Sequence, residues 1–292
     1  GLPAQPHDAV GSVRVATDHF ALDDVDASVG GLTVRVDGIV GSPTPLDGTS
    51  LLCRARAASL SDLAAWGLLA KLPPDPFAAS GRLRIDGGVY RVDDVSAEVG
   101  ADRIAVDGTV GALPHVAALD LAVTAWGPRL RDLTRFAVTA GADPPPRIPA
   151  EPFTVTGRVR RATSGIELLG VKGGVGNAKL DAEGLIPFEN RWLGTDVTFG
   201  IDAPDTVLLS EVVGTDLPEG ALRARGRIRS TPEGLRLDEA EASLGALFTQ
   251  LTGIVGEPPN LAGTSIDFSV EGPDLAAALA PWTGAMTLPA DS

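Results

Sequence analysis

The chain has 292 residues, with 24 Lys and Arg against 38 Asp and Glu for a net charge of −14; 44% of residues are hydrophobic and only 4% aromatic. That balance is globular and excludes a disordered chain, and scattered acidic charge argues against nucleic-acid binding and against electrostatic docking on anionic membranes. No stretch reaches the ~18 apolar residues of a membrane span. Residues 1–4 carry no Met start, basic region or apolar run, so the chain reads as a section of something longer.

The first predicted strand carries Gly11-Ser12-Val13-Arg14. In the second, Phe20 and Leu22 alternate, then a three-residue step across Asp23-Asp24 leads to Val25, Ala27 and Val29 before Gly30. One extra residue returning side chains to the same face predicts a β-bulge, which bends the strand. Asp37-Gly38 follows, then a strand-like run Leu51–Ala55 holding the lone cysteine, Cys53. A single Cys excludes an intramolecular disulfide and speaks against a Cys-based metal site, so Cys53 reads as a buried, inert thiol. Asp62 opens a predicted short helix with a Leu63, Trp66, Ala70 stripe, and Leu72-Pro73 closes the unit.

The same plan then repeats. Phe77, Ala79, Gly81, Leu83 and Ile85 alternate with Ala78, Ser80, Arg82 and Arg84, the period-two pattern of a strand with one buried and one wet face. Tyr90 and Val92 step across Asp93-Asp94 to Val95, Ala97 and Val99; Ile104, Val106 and Gly108 follow, then Leu119, Leu121 and Val123, a helix start at Pro128 and a closing Ile148-Pro149. The third unit runs through Val155, Gly157 and Val159, then Ile166, Leu168, Val171 and Val175, then Leu180. It continues through Val197, Phe199 and Ile201 to Pro204-Asp205 and Leu217-Pro218. The fourth holds Leu222, Ala224, Gly226 and Ile228, then Leu235, Leu237, Ala240, Ala242 and Leu244, then Leu251. Ile266, Phe268 and Val270 precede Pro273-Asp274 and a helix stripe of Leu275, Leu279 and Trp282, and Leu288-Pro289 closes it.

Gly11, Gly81, Gly157 and Gly226 lie 70, 76 and 69 residues apart, as do Gly30, Gly100, Gly176 and Gly245, and the pairs opened by Asp37, Asp107, Glu183 and Thr252. Three markers with one set of offsets define an internal repeat. The expected fold is all-β with short helices: one continuous repeat domain over 1–292, with repeats at about 11–73, 76–149, 152–218 and 221–289. Each repeat supplies about four strands and one short helix. Some sixteen antiparallel strands then form a long, curled, groove-like meander.

No catalytic constellation emerges, and the chain is expected not to be an enzyme and to need no cofactor or metal. The run Gly173-Gly174-Val175-Gly176-Asn177-Ala178 lacks the parallel strand–turn–helix setting of a nucleotide loop. Asp23-Asp24-Asp26 and Asp93-Asp94 read as polar bulge residues rather than a calcium site, which needs six or more oxygens. His7, His19 and His115 have no partner motif. Pro144-Pro145-Pro146 reads as a stiff linker.

An apolar face spanning about sixteen strands needs a cover. Its side chains are aliphatic or absent, and one short helix per unit is too little. Two fillings stay open: a dry, self-packed sheet, or a trough occupied by acyl chains. Expected lining residues are Leu83, Ile85, Val92, Ile104, Val106, Leu119, Leu121, Val123, Val155, Val159, Leu180, Val197, Phe199, Ile201, Ile228, Leu237, Leu251, Ile266, Phe268 and Val270.

The Gly-Arg-aliphatic-Arg strand, the Asp23–Gly30 and Asp93–Gly100 runs, Val-Asp-Gly at Val36–Gly38 and Val106–Gly108, Gly272-Pro273-Asp274-Leu275 and the closing Leu-Pro together resemble the AsmA-like family of bacterial envelope proteins, relatives of TamB. The third unit departs from the pattern at Leu169-Gly170 and Ala203-Pro204. The resemblance implies a periplasmic protein tethered to the inner membrane by a segment outside this chain. It further implies an aliphatic β-groove conducting phospholipids between inner and outer membranes, their acyl chains being the partner. The alternative is an assembly module for outer-membrane proteins acting through its sheet edge.

Overall fold

The computed structural model describes residues 7–41, 46–61, 74–111, 118–133, 148–188, 194–213, 219–232, 234–256 and 263–273. Sixteen strands form one antiparallel sheet that is not closed, and their order in it is their order in the chain. Two compact units divide the chain: Gly1–Pro145 with Ala150–Arg161, and Pro146–Pro149 with Ala162–Ser292.

The first unit holds β1 (His7–Val15), β2 (Phe20–Val29), β3 (Leu32–Val40), β4 (Thr49–Ala57), β5 (Phe77–Asp86), β6 (Val89–Val99), β7 (Asp102–Gly111), β8 (Asp120–Gly127) and β9 (Phe153–Arg161). Its buried apolar side chains gather at strand ends. Val29 and Leu32 flank the β2–β3 turn, Ala57 ends β4, Val99 ends β6 and Phe153 opens β9. Buried Leu60 lies just beyond β4, where its N–H donates to the Asp75 carbonyl at 2.7 Å. After β8, a single 3-10 turn covers Leu130–Leu133, and the Leu130 N–H donates to the Glu151 carbonyl at 2.8 Å.

The second unit holds β10 (Gly165–Val175), β11 (Ala178–Pro187), β12 (Asp196–Ala203), β13 (Leu222–Thr231), β14 (Gly234–Leu244), β15 (Leu247–Val255) and β16 (Ser265–Glu271), with the helix α1 (Val207–Val213) among its described residues. The Val207 N–H donates to Asp205 Oδ1 at 3.1 Å, as an N-capping acid does. Val175, Ala178 and Ala203 are buried at strand ends beside buried Thr206.

Of the short helices expected, one per repeat, two starts fall among the described residues. Pro128 leads to a 3-10 turn and Pro204-Asp205 to a seven-residue α-helix. The starts at Asp62 and Asp274, the tryptophans Trp66 and Trp282, His115, Pro144–Pro146 and the Leu-Pro closures at 72, 217 and 288 lie outside the described residues.

Register shifts fall where the three-residue steps put them: between Leu22 and Val25, Val92 and Val95, Leu168 and Val171, and Leu237 and Ala240. At each, one residue turns left-handed: Asp24 (φ 48°), Asp94 (φ 51°), Gly170 (φ 55°) and Glu239 (φ 49°). In the first unit, the freed amide is recaptured. The Asp24 N–H donates to Asp37 Oδ1 at 2.9 Å and the Asp94 N–H to Asp107 Oδ1 at 2.7 Å. The glycine after each of these acids is equally constrained. A Cβ on Gly108 (φ 139°) would collide with the Asp120 carbonyl of the next strand, and one on Gly38 (φ 131°) with that of Ser50.

Candidate functional site

Antiparallel pairing lines the sheet's aliphatic residues into rows running across the strands. In the first unit one row passes through Leu22, Gly38, Leu51, Leu83, Val92, Gly108, Leu121 and Val159. A second contains Val36 and Cys53, then Val95, Val106 and Val123. A third takes Ala27, Val34, Ala55, Ala79, Ala97, Ile104, Ala125 and Val155. Most of these side chains are half-exposed, with no second layer over them among the described residues. Burial pushes the Cys53 thiol pKa up.

The second unit repeats the arrangement. Leu168, Gly184, Val197, Ile228, Leu237, Gly253 and Ile266 make one row, and Leu180, Ile201, Ala224, Ala242, Thr249 and Val270 another. Between them Ala182 meets Phe199, which meets Gly226; further along, Ala240, Leu251 and Phe268 align. Phe268 is 70% exposed.

The opposite face is charged, and many of its charges pair with one another. Arg84 donates to Asp93 at 2.6 Å, Arg158 to Asp120 at 2.8 Å, Arg227 to Asp196 at 2.6 Å and Arg225 to Glu241 at 2.8 Å. Those guanidinium hydrogen bonds hold the Asp93, Asp120 and Asp196 carboxyls below the usual aspartate range. The bulge acids are engaged in the same way, Asp24 by Arg35 and Asp23 by Arg14. Among the described residues no group of three or more His, Cys, Asp or Glu could hold a metal ion. The Gly173–Ala178 run is the end of β10 and its tight turn into β11.

Eighteen of the twenty expected lining residues fall in these rows. Two do not. Ile85 is 3% exposed and belongs to the buried strand ends, while Leu119 precedes β8, where its carbonyl accepts the Arg161 N–H at 2.8 Å. The glycines leave no open space on the face. A Cβ on Gly81 would strike Val95, and one on Gly226 would press on Ala240 and the Phe199 ring. The bulges before Val25, Val95 and Ala240 push those residues into the gaps that Gly11, Gly81 and Gly226 leave.

The link from bulge amide to the Asp of the Asp-Gly pair escaped sequence reasoning. Its signal was present as the constant 13-residue separation between Asp24 and Asp37 and between Asp94 and Asp107. No protein-family model, curated protein or solved structure matches the chain. No helix among the described residues is long and apolar enough to cross a membrane.

Proposed function

We propose that the chain is an internal section of an AsmA-like, TamB-related protein of the bacterial periplasm, tethered to the inner membrane from outside this section. Its aliphatic face curls into a groove that binds phospholipid acyl chains and conducts them between inner and outer membranes. The plan is four units of about 70 residues, each contributing four strands, one bulge and a short helical connection.

The observation that carries this reading is the aliphatic face itself: rows of Val, Leu, Ile and Ala, half-exposed and without a covering layer among the described residues. Protein interfaces concentrate Tyr, Trp, Phe, Met and Arg at their cores, and these rows are poor in all of them. A featureless, linear hydrocarbon suits such a surface, gaining about 0.8 kcal/mol per CH₂ withdrawn from water. The paired charges of the opposite face keep that side in solvent.

Lipid extraction from the purified chain, followed by mass spectrometry, tests the proposal. Phospholipid is expected at a reproducible stoichiometry, and its absence from repeated preparations would sink the reading. The assembly alternative acts through a sheet edge. Crosslinks to outer-membrane barrel proteins, with no bound lipid, would favour it instead.

A further inference from the structure

On the charged face, the corresponding strands of the two units enclose hollows of similar construction and opposite charge logic. In the second unit, a concavity of about 370 Å³ is lined by Asp202, Arg223, Arg225, Glu241 and Ser243 among others. Its charges answer one another: Arg225 donates to Glu241 at 2.8 Å, and Arg223 lies 3.8 Å from Asp202. The hollow is filled, electrostatically, by the protein's own groups.

The first unit has a hollow of about 270 Å³ lined by Arg54, Arg56, Ala78, Ala79, Ser80, Ser96 and Glu98. Arg54 and Arg56 stand two residues apart on β4 and so project from one face. Neither makes a hydrogen bond or ion pair with an acid among the described residues. Arg54 does feel the charge of Asp24, but Arg35 already binds that carboxylate. Glu98 is likewise engaged, by Arg103 at 2.8 Å, and the Arg103 guanidinium lies 4.8 Å from the Trp126 ring centroid. The Ser80 and Ser96 hydroxyls are 3.1 Å apart. One donates to the other, leaving one hydroxyl hydrogen free to donate outward.

We infer that this hollow is a binding site for a phosphate monoester, held by Arg54 and Arg56 with a hydroxyl of the Ser80–Ser96 pair. Guanidinium forks match phosphate oxygens bidentately, and a terminal phosphate has enough oxygens to accept from both arginines and the serine. At ~30 Å³ per water, the hollow has room for a small organic substituent as well. In a chain of net charge −14, two uncommitted guanidiniums over a floor of small residues make a local reversal of sign. The site lies on the face opposite Cys53 and Ala55, so it stands or falls independently of acyl-chain binding.

Calorimetric titration of the full chain with glycerol 3-phosphate at low salt tests the site, beside flotation with phosphatidylcholine vesicles containing phosphatidic acid. The double variant Arg54→Ala, Arg56→Ala is expected to weaken glycerol 3-phosphate binding by about ten-fold or more, while Arg225→Ala leaves it unchanged. Both arginines are exposed, so far-UV circular dichroism should be unaltered; Arg54→Lys with Arg56→Lys, which keeps charge but loses the fork, should fall in between. Soluble binding without flotation supports the site with a free phosphate ester as its ligand. Flotation abolished by the double substitution supports it with a lipid headgroup. Absence of saturable binding in both arms, or binding that survives the double substitution, overturns it.

Discussion

Placing Asp at two points on the aliphatic face should have opposite consequences, because one point is covered and the other is not. Phe268 is 70% exposed, so about 60 Å² of its ~200 Å² is shielded, worth about 1.5 kcal/mol at ~25 cal/mol per Å². Adding up to ~1 kcal/mol for Asp in a strand, Phe268→Asp should cost about 2 kcal/mol and leave the chain folded. Ile85 is 3% exposed. Ile85→Asp forfeits about 2–3 kcal/mol of burial and strands a carboxylate at a cost of several more, comparable with the ~5–15 kcal/mol stability of a domain. Urea titration followed by far-UV circular dichroism measures both. In the same preparations, Phe268→Asp should lower bound phospholipid. Some three or four CH₂ groups losing shelter at ~0.8 kcal/mol each amount to about 3 kcal/mol, or roughly 100-fold. If Phe268→Asp unfolds the protein as Ile85→Asp does, the face is a dry core and the reasoning fails. A folded variant with undiminished lipid would remove Phe268 from the lipid path.

Gly108→Val puts a Cβ against the Asp120 carbonyl at φ 139° and should cost about 2–3 kcal/mol in urea unfolding; wild-type stability would contradict the strain argument. Asp107→Ala removes the acceptor of the Asp94 N–H and should cost about 1 kcal/mol, largely restored in Asp107→Asn. The lowered carboxyls of Asp93, Asp120 and Asp196 stabilise the fold fully above the ordinary aspartate value of 3.8, and that stability is lost as pH falls through and below it. The thermal midpoint should therefore be flat from about pH 7 to 5 and drop below about pH 4, with a shallower drop when Arg84, Arg158 and Arg227 are all changed to Gln. An unchanged drop would remove these pairs from the acid response.

Strand positions and their inward faces were legible because period-two alternation is a local property of each strand. Residues such as Leu83, Val106 and Ile228 need only parity to be assigned a side. The bulges were legible too, since a broken parity at Asp23-Asp24 or Asp238-Glu239 has few physical meanings. Depth along a strand was not. Ile85 and Val92 look alike in the alternation, yet only Ile85 is buried, because burial depends on neighbours that parity does not register. What the glycines of the Gly-Arg strands accommodate was hidden for a related reason. Whether Gly81 leaves a hole depends on Val95 in the neighbouring strand, and the bulge that moves Val95 there is encoded some fourteen residues away. The contrast between the two hollows was equally hidden. An arginine's partner is a cross-strand neighbour, so Arg225 beside Glu241 and Arg54, with no ion pair to an acid among the described residues, are told apart only once the register is known.

Stability and occupancy are assigned to different parts of each strand in this arrangement. Buried side chains sit mainly at strand ends, and the Asp37 and Asp107 carboxylates clamp the bulges of the first unit. That division, on the proposed reading, lets the middle rows gain or lose an apolar occupant without dismantling the sheet. On the proposed reading, this also bears on movement as distinct from binding. A deep pocket holds a ligand by making one position far better than its neighbours. Within the rows, neighbours differ by up to four carbons where Gly meets Leu, as at Gly38 and Leu51 or Gly108 and Leu121. That is about 3 kcal/mol at ~0.8 kcal/mol each every ~4.8 Å, and a chain lying across several strands averages over these steps. A single charge among them would cost several times more to pass. Asp, Glu, Lys and Arg stay out of the rows named above, and the buried Asp102 sits beyond them at the strand ends. A hydrocarbon chain on such rows meets only small barriers, which a conducting face requires and a storage site would not.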